Sequence, residues 1–267
     1  MSASPVHNAE VPRVSKPLLA WFSRYARGYC RKHLHAVRLV REPQPPDGGA
    51  RPLIVVLNHP SWWDPLLGLA LAGARFADRE HYAPIDADAL GKYAFLGKLG
   101  LFPVERGTAR GAASFLRTSR AVLARPRATL WITAQGHFAD PRLRPPGLQA
   151  GVGRLAHRLD DAWILPLAVE LPFWEERTPE ALLRFGDPVR IERGGALTAE
   201  AWTTLVEERL GAAQDALADL ALQRDAGAFE TILGGRSGIG GVYDAWRRLR
   251  ARFRGERLDA SHGGKAP

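Results

Sequence analysis

Residues 53–67, Leu-Ile-Val-Val-Leu-Asn-His-Pro-Ser-Trp-Trp-Asp-Pro-Leu-Leu, constrain this chain more than any other stretch. The apolar, partly β-branched run Leu53 to Leu57 predicts a buried strand. Asn58 and His59 follow. Asp64-Pro65 then predicts a helix start, with Asp64 as N-cap and Pro65 in the first helical position ahead of the apolar run Leu66 to Leu71. A histidine at a strand's exit and a carboxylate at a helix start are thus joined by a loop short enough to fold back on itself. Contact between two such groups fixes an imidazole's tautomer and strengthens it as a base, which is what proton abstraction from a hydroxyl needs. Read locally, Asp64 serves equally well as a helix cap and His59 as a loop residue bonded to a carbonyl.

A chain of 267 residues can bury one sizeable core or at most two small ones. The lone cysteine, Cys30, excludes an internal disulfide and a cysteine metal cage. The sequence offers no apolar run long enough for a transmembrane helix and no signal peptide pattern. The net charge of +9 is concentrated at the two ends. Residues 13–41 carry eight Lys/Arg and no acid, and residues 236–257 carry seven Arg against Asp244 and Glu256. The segment between is mildly acidic. Basic flanks on such a centre suit an anionic surface, either membrane or nucleic acid.

Along the chain, residues 1–12 read as a disordered leader. The spacing predicts a basic amphipathic helix within 13–35, with Leu18, Phe22, Tyr25 and Tyr29 on one face, Trp21 at its edge, and Arg24, Arg27 and Arg31 opposite. Such a helix is ~24 Å long, too short for a ~30 Å hydrocarbon core, yet suited to lying in the interface. Ala36–Arg41 alternates like a strand, and 43–49 is a turn-rich linker. Further strands are expected at His81–Ile85, Leu99–Gly107 (ending in Arg106-Gly107), Ala128–Thr133 and Trp163–Glu170. Helices are expected at Ala87–Leu96, Ala109–Ala124 and 198–223. A Gly-rich bend at Leu233–Gly241 leads to a last helix, Val242–Phe253, inside a basic C-terminal segment 236–258. Residues 259–267 read as a disordered tail. Alternating strands and helices predict an α/β fold, a mixed sheet flanked by helices, over 36–235.

Several motifs in this order resemble those of the glycerolipid (lysophospholipid) acyltransferases. Asn58-His59-Pro-Ser-Trp-Trp-Asp64 is similar to that family's first block, a His and an Asp separated by four residues. The apolar strand closing on Arg106-Gly107 resembles the second. Ala134-Gln135-Gly136-His137-Phe138 stands where the third block usually reads Pro-Glu-Gly-Thr-Arg, so Gly136 is kept and two charges are lost. Trp163 to Glu170, containing Pro166, resembles the fourth. The resemblance implies His59 as general base and Asp64 as its orienting partner, with Asn58, Arg106, Gly107, Gln135, Gly136 and Pro166 serving substrate binding. It implies acyl transfer from acyl-CoA or acyl carrier protein to a hydroxyl of a lipid acceptor, with no cofactor and no metal. The oxyanion donors would be backbone N–H groups around 58–63 or near Gly136. Arg106 would take an anionic group of the acceptor. Gln135 and Phe138 in place of charged residues point toward a neutral or glycosylated acceptor.

Gly151-Val-Gly153-Arg-Leu-Ala156 has dinucleotide-fingerprint spacing but follows a Pro-Pro-Gly loop instead of a strand. Neither Gly-x-Ser-x-Gly nor a Gly-Lys-Ser/Thr loop occurs. Two alternatives stand beside acyl transfer: a lipid-acting thioesterase using the same base on water, and a non-catalytic basic module binding membrane or nucleic acid. The expectation is an enzyme peripheral to the cytoplasmic face of a membrane, with an anionic lipid surface as partner and no nucleic acid.

Overall fold

The computed structural model describes residues 11–47 and 49–235. The expected leader lies almost wholly outside them, and the last helix and the tail lie entirely outside. Helix α1 spans Lys16–His33, followed by β1 (Ala36–Val40), β2 (Leu53–Leu57), α2 (Asp64–Arg75), β3 (Glu80–Asp86) and α3 (Ala87–Lys92). Next come β4 (Leu101–Val104), α4 (Ala109–Leu123), β5 (Ala128–Thr133), α5 (Gly151–Ala156) and β6 (Ala162–Glu170). The described chain closes with β7 (Glu180–Phe185), β8 (Val189–Ile191), α6 (Ala199–Gln223) and β9 (Phe229–Gly234).

The nine strands form one mixed sheet in the order β4-β3-β5-β2-β6-β7-β1-β9, with β8 pairing beside β7 along β6. Strands β4, β3, β5, β2 and β6 run parallel. Strand β2 sits between β5 and β6, and all five of its residues are buried. That is why its sequence is continuously apolar instead of alternating. Ile54 and Val56 join the core under α4, α5 and α6, with Leu130, Ile132 and Ile164. Leu53, Val55 and Leu57 join the opposite core under α1 and α2, with Leu165, Leu167 and Val169. Truncating Ile54 or Leu165 to Ala would cost about 2–5 kcal/mol.

This layering decides where a site can form. After β2 the chain leaves for α2, which packs its Leu66, Leu67 and Leu71 on one face. After the neighbouring β5 it leaves for α5, which packs Val152 and Leu155 on the other. Adjacent parallel strands whose helices depart to opposite faces open a crevice at their carboxyl ends. His59 follows β2 at that point, and Gln135 follows β5.

Two expectations are corrected. The helix expected over Ala87–Leu96 breaks after Lys92 and resumes as a 3-10 turn over Ala94–Leu99, in a stretch weakened by Gly91 and Gly97. The bend expected from Leu233 does not start there: β9 continues through Gly234 antiparallel to β1, and residues 236–241 of the expected bend lie outside the described residues. Helix α1 packs on the body of the protein, with Ala26 and Cys30 buried and Phe22 meeting Phe95 of the 3-10 turn. The dinucleotide-like glycines also have a packing role. A Cβ on Gly153 would fall 2.0 Å from the Ala199 carbonyl oxygen, so the glycine permits close approach of α5 and α6.

Candidate active site at the carboxyl ends of β2 and β5

The loop after β2 folds back as the His/Asp spacing suggests. His59 Nδ1 lies 2.6 Å from Asp64 Oδ2. Asp64 is not the N-cap: it is the first residue of α2, Pro65 is the second, and no side chain caps the helix start. The reason is local, since the carboxylate turns toward His59 instead of toward its own helix. Asp64 is buried, and its second oxygen has no hydrogen-bond partner among the described residues. Burial raises its carboxyl above the usual carboxylate range, opposed foremost by the hydrogen bond and charge of His59 and then by Ser61. An Nδ1–H donating to this carboxylate leaves Nε2 as the ring's acceptor. Nε2 has no partner among the described residues.

The imidazole is held in place mainly through its backbone. Gln135 is 1% exposed. Its Oε1 accepts from the His59 N–H at 2.8 Å and its Nε2 donates to the Pro146 carbonyl at 2.7 Å. On the other side, the Ala139 N–H donates to the His59 carbonyl at 3.0 Å. The loop after β5 therefore grips the His59 residue from both ends. Asn58 is likewise buried, donating to the Val169 carbonyl at 3.0 Å and accepting from the Val169 N–H at 2.8 Å. It extends the β2–β6 pairing one step beyond the strand.

Three residues expected to serve substrate binding have their polar atoms engaged within the protein. Asn58 and Gln135 have their polar atoms turned inward, onto Val169 and onto His59 and Pro146. Pro166 is buried in β6 opposite Val56, its carbonyl accepting from the Gly186 N–H at 2.9 Å. All three brace the strand ends around His59.

The second strand-end brings in Arg106. Its guanidinium pairs with Asp86 at 2.5 Å, donates to the Gly136 carbonyl at 3.3 Å, and remains 64% exposed. The Asp86 carboxyl is held below its usual range, first by the Asp88 N–H it caps and also by Arg106. Gly107 and Gly136 both turn at φ +73°, the left-handed region that favours glycine. Of the oxyanion donors expected from the sequence, the His59, Trp63 and Gly136 amides are already bonded, to Gln135, Ser61 and Thr133.

Sequence reasoning missed what stands over the imidazole. The Phe138 ring lies 4.4 Å from that of His59, centroid to centroid, and is 60% exposed. No local signal marks this contact, because it depends on β2 and β5 being neighbours. Beside the crevice, Trp62 and Trp63 stack at 4.9 Å and both meet Tyr29 of α1. Tyr29 continues to Tyr25, and Tyr25 to Trp21. Trp21, Tyr25, Trp62, Tyr93 and Phe95 are all exposed.

Among the described residues no cluster of His, Cys, Asp or Glu is arranged to hold a metal ion. No described helix is long and apolar enough to cross a membrane. A model of the family described as Acyltransferase matches residues 33–170, slightly over half of the 267-residue chain. Comparison with curated proteins gave no match.

Proposed function

Since the chain belongs to the acyltransferase family of glycerolipid enzymes, we propose that it moves a fatty acyl group from a thioester, acyl-CoA or acyl carrier protein, to a hydroxyl of a lipid acceptor at a membrane surface. The observation carrying this reading is the 2.6 Å contact from His59 Nδ1 to Asp64, with no partner for Nε2 among the described residues. Nε2 takes the acceptor hydroxyl proton as that oxygen attacks the thioester carbonyl. The tetrahedral oxyanion collapses, the carbon–sulfur bond breaks, and the leaving sulfur takes the proton back from His59 as free thiol. The nucleophile is the acceptor itself, so no acyl-enzyme forms. Asp64 keeps the ring oriented and stabilises the imidazolium, and positioned bases of this kind contribute roughly 10²–10⁴-fold.

The walls of the crevice favour an uncharged acceptor. Phe138 lies against the imidazole where the resembled family carries an arginine, and it offers no donor to a phosphate. Arg106 remains as a cation at the rim, but Asp86 already shares its charge. A monoacylglycerol or a glycosylated lipid therefore fits better than lysophosphatidic acid. The exposed aromatic row from Trp62 to Trp21 supports approach to a bilayer. Amphipathic rings favour the headgroup level, and α1 adds Arg24, Arg27, Arg31 and Lys32 for anionic lipid.

The test is stoichiometric. With palmitoyl-CoA and either monooleoylglycerol or lysophosphatidic acid in phosphatidylglycerol vesicles, free thiol and acylated lipid should appear one for one, faster with the neutral acceptor. Thiol release without lipid product would instead identify a thioesterase.

A further inference from the structure

The resembled family usually places a glutamate where this chain has Gln135, and the surroundings of that side chain explain the amide. One end meets a donor, the His59 N–H at 2.8 Å. The other meets an acceptor, the carbonyl of Pro146 at 2.7 Å. A buried side chain satisfying both must present one acceptor and one donor, which an amide does and a carboxylate does not. The far anchor is itself fixed on α6. The Gly147 and Leu148 N–H groups donate to Glu207 at 2.7 and 2.9 Å, and Gln214 donates to the Pro141 carbonyl at 2.8 Å. A rigid connection thus runs from α6 through Pro146 and Gln135 to the backbone of His59.

We propose that Gln135 is a positioning residue for His59, matched to the Pro146 carbonyl, and that it takes no part in recognising the acceptor. The proposal rests on the general-base reading of His59. Its physical content is that the imidazole's place against Asp64 is set from the peptide side by this amide. Displacing a reacting group by ~1 Å costs on the order of 10²-fold in rate. Loss of the clamp therefore lowers kcat and leaves acceptor KM alone, whereas loss of an acceptor contact raises KM.

Gln135→Glu gives the sharpest form of the inference. A neutral carboxyl still donates to the Pro146 carbonyl and accepts from His59. An ionised one sets two acceptor oxygens face to face in a buried site, which resists ionisation and raises its titration. The clamp is then intact at acidic pH and lost as pH rises through that raised value. The titratable or charged side chains on the elements around the clamp are His59 and Asp64 from the β2–α2 loop, Arg106 with Asp86 from the β4–α4 side, His137 and Arg144 from the loop after β5, and Glu207 from α6. None of their side chains bonds that of Gln135, which among the described residues meets only the His59 backbone N–H and the Pro146 carbonyl.

The experiment compares full-length wild type, Gln135→Met, Gln135→Glu and His59→Ala. Hydrogen exchange of the His59 amide is followed by NMR, and turnover with palmitoyl-CoA and monooleoylglycerol in phosphatidylglycerol vesicles. For Gln135→Met the expected result is faster exchange of that amide and kcat ~10–100-fold lower, with acceptor KM within about twofold. For Gln135→Glu it is turnover near wild type at acidic pH and an alkaline loss that wild type lacks. If Gln135→Met does not fold, the Gln135→Glu pH profile and its amide exchange carry the test. Unchanged exchange and kcat, a change confined to KM, or a Gln135→Glu profile identical to wild type would overturn the clamp. Turnover surviving in His59→Ala would instead overturn the base itself, whatever position 135 does.

Discussion

His81 lies in the sheet and His59 just beyond one of its strands, and their surroundings differ in one respect that separates structure from chemistry. His81 near the start of β3 has both ring nitrogens engaged: Nε2 donates to the Phe76 carbonyl at 3.0 Å, and Nδ1 accepts from Trp131 Nε1 at 3.2 Å. Burial lowers its pKa from 6.5 to about 4, so it stays neutral. His59 has one nitrogen bonded to a carboxylate and the other open to the crevice. His81 is level with Leu53 across the sheet, through Thr129. That places it six residues before His59, or ~20 Å at the rise of a strand. One histidine fastens the fold together, and the other is fastened so that it can act.

The sharpest way to break this comparison is to remove the charge behind the acting ring. Asp64→Asn is expected to lower turnover by roughly 10²–10⁴-fold. Stability should move the other way. A buried carboxyl with a raised pKa favours the fold below the ordinary carboxylate range and loses that contribution as pH rises through the raised value. At neutral pH Asp64→Asn should therefore melt no lower than wild type, and its relative advantage should shrink in acid. A melting temperature well below wild type at pH 7 would mean that the carboxylate is mainly structural.

A smaller effect is expected at the ring covering His59. Phe138→Arg supplies charge-assisted bonds of ~1.5–3 kcal/mol to an anionic headgroup. The variant should shift preference toward lysophosphatidic acid over monooleoylglycerol by about tenfold or more. No shift would remove Phe138 from acceptor choice.

His81→Phe should do what no substitution at His59 does, lowering stability by about 1–3 kcal/mol through unpaired Phe76 and Trp131 groups while kcat holds. His81 has a depressed pKa, so its contribution is present above 6.5 and lost as pH falls toward 4. The substitution should flatten part of the acid limb of the melting curve. An unchanged acid limb would show that His81 is not the group titrating. The smallest effect belongs to the exposed rings. Trp21→Ser with Tyr25→Ser should weaken sedimentation with phosphatidylglycerol liposomes and leave turnover on detergent-dispersed substrate intact. Equal sedimentation would place membrane contact elsewhere.

Much of this was legible because it is local. The continuous apolar run of β2, the Asp-Pro helix start, and the helices at Ala109–Leu123 and Ala199–Gln223 are written in periodicity and punctuation. So was the proximity of His59 and Asp64, five residues apart. What was not legible is where a side chain's bonds depend on a distant partner. The sequence around Asn58 and Gln135 holds no sign that Val169 and Pro146 take their polar atoms. Phe138 over His59 and strand β9 beside β1 arise from which strands lie next to which, and no window of sequence contains that order.

The most direct measurement is turnover of His59→Ala against wild type, both shown folded by coincident thermal unfolding. Each is given palmitoyl-CoA and monooleoylglycerol on phosphatidylglycerol vesicles, with free thiol and acylated lipid counted together. Wild type should release thiol and form ester one for one, and His59→Ala should lose both by roughly 10²–10⁴-fold. Ester formation by folded His59→Ala at near wild-type rate would contradict the assignment of His59 as the base.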